Sequence, residues 1–186
     1  MSPQFPLARP ARNLALTVCV AVFAFAPSGT RADTAAVPVD LHFAGNLLDG
    51  TKIVLPDAAN GKPCIVVVGM TKNSADATER WSTELAKREG DRVAVFSIAL
   101  LDKAPGFIRG FIIKSLRKQY DLPDGKAPGY FVTVSDGSVI RRIVPPGKED
   151  DPATFVFDAH GKLVDAVHVP YSDNAVADVV KAAEKP

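Results

Sequence analysis

The chain has 186 residues, of which 47% are hydrophobic and 23% are charged, and its formal net charge is +1. This length suits one domain plus a targeting segment, and there is enough apolar material to bury one core. Disorder throughout the chain is thereby excluded.

The first 32 residues have the layout of a secretory signal peptide. Arg9 and Arg12 form a basic start, no acidic residue precedes Asp33, and residues 14–26 are apolar. As a helix this apolar run is about 20 Å long, short of the roughly 30 Å hydrocarbon core of a membrane. We therefore favour a cleaved signal peptide over a transmembrane anchor, with cleavage after Ala32 and a periplasmic or secreted product.

Cleavage after Ala32 would change both the charge and the cysteine content. A second candidate site after Ala26 is less suitable, because Pro27 would follow the cut. Removal of residues 1–32 takes away three arginines and no acidic residue, which leaves 19 basic and 21 acidic side chains and a net charge of −2. This balance argues against nucleic-acid binding. Cys19 is also removed, so Cys64 remains alone and an intramolecular disulfide is excluded.

Short apolar stretches bounded by turn residues predict a series of β-strands. Three turn signals, Asp49-Gly50, 135–137 and His160-Gly161, each join two such stretches and predict β-hairpins. The stretch that begins at Cys64 shows no polar alternation, which is typical of a central strand covered on both faces. The predicted strands are 41–44, 52–55, 64–68, 92–99, 131–134, 138–144, 154–157 and 162–167.

Three segments have the apolar periodicity of amphipathic helices. The first begins at Asn73 or Ser74, either of which can cap it, and ends near Arg88; the second runs from Pro105 to about Tyr120. The third begins at 172–173. Strands that alternate with helices and then close in a hairpin predict a single α/β domain over 33–186, with a mixed central sheet, helices on both faces and an N-terminal β-hairpin.

Two stretches resemble the thioredoxin superfamily, in particular the exported thioredoxins of cytochrome maturation and the peroxiredoxins. Residues 61–81 resemble the strand that leads into the helix carrying Cys-x-x-Cys in those families. Within 131–164, Pro152 matches the cis-proline beside the redox site, and 158–162 match the turn that follows. The resemblance implies a thioredoxin-like fold. The sequence leaves open whether Pro152 is cis, since few X-Pro bonds are.

The resemblance does not extend to the redox residues. Counted from Gly61-Lys62, Cys-x-x-Cys would fall on 73–76 and the peroxiredoxin Thr-x-x-Cys on 71–74, and neither stretch contains sulfur. These families place a thiol at a helix N-terminus because the helix dipole there lowers its pKa. We therefore expect a redox-inactive protein without catalytic residues or cofactor. The three histidines lack metal-ligand spacing, so we expect no metal either.

Residues 104–110, which read Ala-Pro-x-x-x-Arg-Gly, are similar to a motif of exported thioredoxin-like proteins, some of them related to mitochondrial ATP-synthase assembly factors. Members of that group often lack the dithiol. This second resemblance implies a role in binding or assembly, with an envelope protein or peptide as the partner.

The second predicted helix is the preferred functional surface. Its apolar residues cover about 240° at 100° per residue, whereas a helix on one sheet needs little more than about 100°. The part of the apolar surface beyond this need is either covered by residues 121–130, or it docks a protein partner or an anionic membrane surface. The expected binding residues are Thr71, Asn73, Ser74, Asp76, Phe107, Arg109, Phe111, Arg117 and Pro152.

Several of these positions have a competing explanation. Ser74 is either a plain helix cap or an anion-binding hydroxyl, and the acidic residues of 148–151 form a solvated loop or a cation site. Cys64 occupies a packing position for a small apolar side chain. The alternative function is a thiol peroxidase or oxidoreductase that uses Cys64, which requires exposure and a lowered pKa. We favour binding over catalysis.

Overall fold

The structure is a computed structural model that describes residues 41–120 and 130–184. The predicted signal peptide and the segment 121–129, expected over the second helix, lie outside the described residues. Strands and helices follow one another in the predicted order except at 138–144. They are β1 Phe43–Leu47, β2 Lys52–Leu55, β3 Cys64–Gly69, α1 Ala75–Glu89, β4 Ala94–Leu100, α2 Gly106–Gln119, β5 Phe131–Val134, α3 Ile140–Ile143, β6 Ala153–Phe157, β7 Leu163–His168 and α4 Asp173–Ala183.

All seven strands form one mixed sheet in the order β2-β1-β5-β4-β3-β6-β7. The three inner strands β3, β4 and β5 are parallel, while the hairpins β1–β2 and β6–β7 join on either side as antiparallel strands. The connections that leave the carboxyl ends of β3, β4 and β5 therefore meet at one edge of the sheet. We call this edge the carboxyl edge.

The two faces of the sheet bury separate apolar clusters, because successive side chains of a strand point to opposite faces. Ile65 and Val67 of β3 pack with Trp81 of α1 and with α4 on one face. Cys64 and the alternate residues of β3 pack on the other face, which the short α3 helps to cover. Burying one such side chain contributes about 1.5–3 kcal/mol relative to leaving it exposed, so both layers are needed for a stable fold.

The predicted strand 138–144 is wrong, since this segment contains the helix α3. Ile140 and Val144 are both buried, and they lie four residues apart, which places them on one side of a helical turn. The sheet offers no position for the predicted hairpin partner of β5, because β1 and β4 occupy both sides of that strand. Strand propensity was overridden by tertiary structure.

The N-terminal hairpin approaches the sheet closely at Gly45. A Cβ atom there would lie 2.5 Å from Val132 Cγ1 and 2.9 Å from the carbonyl oxygen of Thr133. The β1–β5 pairing is short and matches Asn46 with Thr133 and Leu47 with Val132. Glycine is therefore required for the two strands to meet.

Candidate functional site

Ser74 lies at the carboxyl edge, directly before α1, and its side chain is fully buried. Its Oγ accepts hydrogen bonds from the backbone N–H groups of Met70 at 3.0 Å and Thr71 at 3.1 Å, and donates to the carbonyl of Thr71 at 2.8 Å. A hydroxyl has one donor and two acceptor positions, and all three are in use. Ser74 therefore closes the loop after β3. Neither the side-chain cap nor the anion-binding hydroxyl considered for Ser74 is present.

The rim in front of Ser74 is closed by Asp150. Thr71 Oγ1 donates to one carboxylate oxygen of Asp150 at 2.6 Å, and Asn73 Nδ2 donates to the other at 3.2 Å. These two hydrogen bonds hold the pKa of Asp150 below its usual value. Thr71 and Asn73 are thus brought together as predicted. Asp150 was missed as a rim residue, although three acidic residues directly before Pro152 were a signal.

Pro152 lies directly before β6, in the order of proline, strand and turn that the resemblance gives. Its peptide bond is trans, and in the described residues the cis peptide bond is Leu55–Pro56. The ring is also buried at the start of β6. The loop before it is held by His168, whose Nε2 lies 3.0 Å from the carbonyl of Lys148 and 3.1 Å from that of Asp151. Pro152 is therefore a packed residue.

A line of hydroxyl groups fills the space behind Ser74, between α1 and β4. Thr78 Oγ1 donates to the carbonyl of Ser74 at 2.8 Å, and Ser82 Oγ donates to that of Thr78 at 2.9 Å. Ser97 Oγ on β4 donates to Ser82 Oγ at 2.7 Å. A Cβ atom on Gly69 would lie 2.7 Å from Thr78 Oγ1. The start of α1 is packed against the sheet, which leaves no room for a buried ligand at Ser74.

Cys64 is distant from this rim and shielded from solvent. It begins β3, five strand steps or about 17 Å before the end of that strand. Burial raises the pKa of its thiol to about 12. The thiolate is the reactive form of cysteine, so Cys64 has the properties of a packed side chain. Its predicted packing position is confirmed.

Two ion pairs join the remaining loops of the carboxyl edge. Arg141 of α3 makes a bidentate pair with Asp102, with N···O distances of 2.6 and 2.7 Å, and this pairing lowers the pKa of Asp102. Lys103 Nζ lies 3.6 Å from a carboxylate oxygen of Glu149. Since Glu149 adjoins Asp150, the loops after β3, β4 and β5 are connected.

Arg109 and Arg117 anchor α2 to its surroundings. Arg109 Nε donates to the carbonyl of Ala104 at 2.7 Å, and its Nη2 donates to that of Asp102 at 3.2 Å. Arg117 Nε donates to the carbonyl of Leu48 in the N-terminal hairpin. Both arginines were expected to bind a partner. Their guanidinium groups instead hydrogen-bond to this chain's own backbone.

The outer face of α2 is exposed and partly aromatic. No residue of α2 is buried, and the side chains of Phe107 and Phe111 are 84% and 74% exposed. At 100° per residue, Phe107, Phe111, Lys114 and Lys118 lie within an arc of about 60°. We call these four residues the α2 outer face. Phenylalanines occupy its first half and lysines its second.

The inner side of α2 carries Arg109, Ile112, Ile113, Leu116 and Tyr120, which are half-buried. The wide apolar surface predicted for this helix therefore consists of an inner side that packs on the protein and an exposed outer face. No helix within 41–120 and 130–184 is both long and apolar enough to cross a membrane. The same residues contain no group of His, Cys, Asp or Glu side chains suited to a metal ion.

Comparison with solved structures identifies the architecture. The exposed lipoprotein thioredoxin Etrx1 of Streptococcus pneumoniae aligns with a TM-score of 0.50 and 18% identity, over 76% of this chain and 98% of that one. StoA of Bacillus subtilis aligns at 0.52 and 13%, over 77% and 99%. A DsbF homologue of Corynebacterium diphtheriae aligns at 0.51 and 14%, over 84% and 96%. No family model and no curated protein matches the chain.

The chain has a thioredoxin-like fold, as its mixed sheet with helices on both faces had predicted. At these identities the likeness is one of fold. A shared fold does not establish a shared activity.

Proposed function

We propose that this chain is an exported thioredoxin-like domain that binds a protein or peptide partner and does not exchange disulfides. The α2 outer face carries the proposal. Two neighbouring phenylalanines, 84% and 74% exposed, form an apolar surface of about 300 Å². A patch of this size is comparable with the largest one on a typical monomer, and such patches are often functional.

The proposed partner presents an apolar groove with acidic groups at one end. Phe107 and Phe111 would enter the groove, and Lys114 and Lys118 would face the acidic groups. The helix is about 21 Å long, which suits a helix-in-groove contact. The patch is smaller than the roughly 800 Å² that one side of a standard interface buries. We expect the neighbouring polar rim around Asp150 to supply further contacts.

The residues at the start of α1 support a function without redox chemistry. Ser74 stands where the resemblance places a thiol, and its hydroxyl already makes three hydrogen bonds. Cys64 is buried on β3, with its pKa raised to about 12. Dithiol exchange needs two neighbouring thiol groups, and the mature chain as we infer it has one.

Location in the cell envelope is part of the same proposal. The sequence of residues 1–32 predicts a signal peptide. One protein of the same fold, Etrx1, is described as an exposed lipoprotein. Exposed thiols oxidise in the cell envelope, and the burial of Cys64 would protect its thiol there.

The binding proposal is tested by crosslinking in intact envelopes, followed by mass spectrometry. We expect the wild type to capture a discrete partner that Phe107→Ser/Phe111→Ser loses. Val54→Ser is the matched control, because Val54 is 40% exposed on β2, away from α2. Melting curves must show that all variants fold. Capture that is equal in all three proteins, or anionic vesicles bound in place of a protein, would overturn the proposal.

The alternative, a thiol enzyme that uses Cys64, makes an opposite prediction. A catalytic Cys64 must react in the folded protein. We expect a thiol reagent to label the native protein roughly a hundredfold or more slowly than the urea-unfolded protein, because labelling requires opening. Rapid native labelling, together with peroxide consumption that Cys64→Ala abolishes, would establish the enzyme instead.

A further inference from the structure

A cleft of about 630 Å³ lies at the end of the sheet opposite the carboxyl edge. The end of α1, the turn between β6 and β7, and the end of α4 surround it. Its charged or titratable lining residues are Glu89, Arg92, Asp158, His160 and Glu184. A volume of this size is within the usual range for small-molecule sites, about 300–1,000 Å³.

Glu89 is the unusual residue of this cleft. Its side chain is 1% exposed, and neither carboxylate oxygen has a hydrogen-bond partner. The nearest positive charge is Arg92 Nη2, 3.6 Å from Oε2, which is beyond hydrogen-bond distance. Burying a carboxylate without donors is unfavourable. Both acceptor oxygens lack a donor and are closed to solvent, so a ligand reaches them only when the side chains over them move aside.

Arg92 lies across the opening and is shared between two acids. Its Nη1 is 3.6 Å from a carboxylate oxygen of Glu184, the same distance as its Nη2 is from Glu89. The Arg92 side chain is 66% exposed, so it can turn into solvent with little loss of packing. A second cation could then approach Glu89.

The charges that line this cleft favour a positive ligand. Both α1 and α4 end here, and the C-terminus of a helix carries partial negative charge. Glu89, Glu184 and Asp158 add three carboxylates against Arg92 and the titratable His160. One carboxylate oxygen of Asp158 is already hydrogen-bonded, since Oδ1 accepts from the backbone N–H groups of His160 and Lys162 at 2.8 and 2.9 Å.

We propose that this cleft binds an organic cation, an alkylammonium or guanidinium group, with Glu89 as its buried acceptor. Such a group donates two or more hydrogen bonds and would satisfy both Glu89 oxygens. Glu184 would contact it at the opening once Arg92 has turned away. A metal ion is a poorer fit, because the described residues provide no group of three ligating side chains. The cation is either a free polyamine-type molecule or a basic side chain of a peptide.

The test is an NMR titration of the mature chain with two probes, agmatine and the peptide acetyl-Gly-Arg-Gly-amide. The amide signals of Arg92, Val93 and Ala183 report binding. We expect saturable shifts with at least one probe, and the probe that binds identifies the source of the cation.

Glu89→Gln keeps the shape of the side chain and removes its charge, and we expect it to weaken binding about tenfold or more. Glu79→Gln makes the same change at an exposed position of α1 and should leave binding within about twofold. If Glu89→Gln fails to fold, Glu184→Gln, at a side chain 52% exposed, should weaken binding about threefold. Shifts that sodium chloride reproduces at equal ionic strength, or that neither variant changes, would overturn the proposal.

Discussion

Ser74 illustrates how one residue can keep the architecture of a site without its chemistry. The sequence placed a hydroxyl at the start of α1, where the resemblance implies a thiol. In the structure this hydroxyl holds the turn after β3 through Met70 and Thr71. If Ser74 only occupied the place of the family's thiol, its replacement would leave the stability of the fold unchanged. Because Ser74 holds the turn, its replacement should lower that stability.

We expect Ser74→Ala to lower the free energy of unfolding by about 2 kcal/mol, because the buried N–H group of Met70 and the partly buried N–H group of Thr71 lose their acceptor. Urea denaturation measures this change. The control is Ser172→Ala, which removes a true N-cap of α4 at an exposed position and should cost about 1 kcal/mol. A Ser74→Ala loss smaller than that of Ser172→Ala would contradict the structural role.

The sequence could not reveal the burial of Ser74. A serine before an amphipathic helix predicts a cap, as it correctly does at Ser172. Ser74 differs because the preceding loop turns back over it, and Asp150, distant in the chain, closes the rim. Long-range contacts of this kind leave no local pattern. For the same reason, the sequence does not reveal the hydrogen bonds that Arg109 and Arg117 make to the backbone.

Among the elements, α2 is the least embedded helix, and its outer face should contribute little to stability. We expect Phe107→Ser/Phe111→Ser to change the free energy of unfolding by about 0.5 kcal/mol or less. The comparison is Leu85→Ala, at a fully buried position of α1, which should cost about 2–5 kcal/mol. Thermal and urea denaturation measure both. A loss above about 2 kcal/mol in the double variant would mean that the outer face is covered in solution.

The link between β4 and α3 should make stability depend on pH. Arg141 lowers the pKa of Asp102 in the folded protein, so the unfolded chain binds the proton more readily. The pair therefore stabilises the fold above about pH 4, the ordinary value for Asp, and this contribution is lost as the pH falls through the lower folded pKa. We expect Asp102→Asn to cost about 2 kcal/mol at pH 7.

The difference between wild type and Asp102→Asn should shrink as the pH falls below about 4. Urea denaturation at a series of pH values measures it, and Arg141→Gln should give the same profile. A difference that is constant with pH would show that the carboxylate charge is not involved.

At the level of elements, periodicity predicted the three long helices and six of the eight strands closely. Where it failed, at 138–144, the pattern suited a strand and a helical turn equally, since Ile140 and Val144 are apolar in both. The order of strands in the sheet excludes a strand at 138–144, because β5 lies between β1 and β4 and has no free side. The first strand was also shifted, to Phe43–Leu47. Which strands pair with each other is set by the assembled sheet, so local sequence patterns do not predict it.

Considered as a whole, the molecule separates its two proposed binding regions. The rim, which adds contacts to the α2 outer face, lies at the start of α1, and the Glu89 cleft lies at the end of α1, about 22 Å away along the helix axis. The order of strands and helices was sufficient to predict this α/β architecture. The cleft was not predictable, because it combines residues from four separate segments. Substitutions in one region should therefore leave the other unchanged.

The short pairing between β1 and β5 implies that the protein opens in parts. Gly45→Ala would push β1 from β5, yet the inner strands β3 and β4 would remain paired. Arg117 of α2 donates to Leu48 of the hairpin, so loss of the hairpin would release the helix as well. We expect hydrogen exchange to accelerate together in residues 43–55 and in α2 of this variant, with β3 still protected. Exchange that accelerated equally in β3 would instead identify a single cooperative unit. Under the first outcome, the segment that presents the phenylalanines is also the first to unfold, so a bound partner would protect the hairpin from proteolysis without touching it.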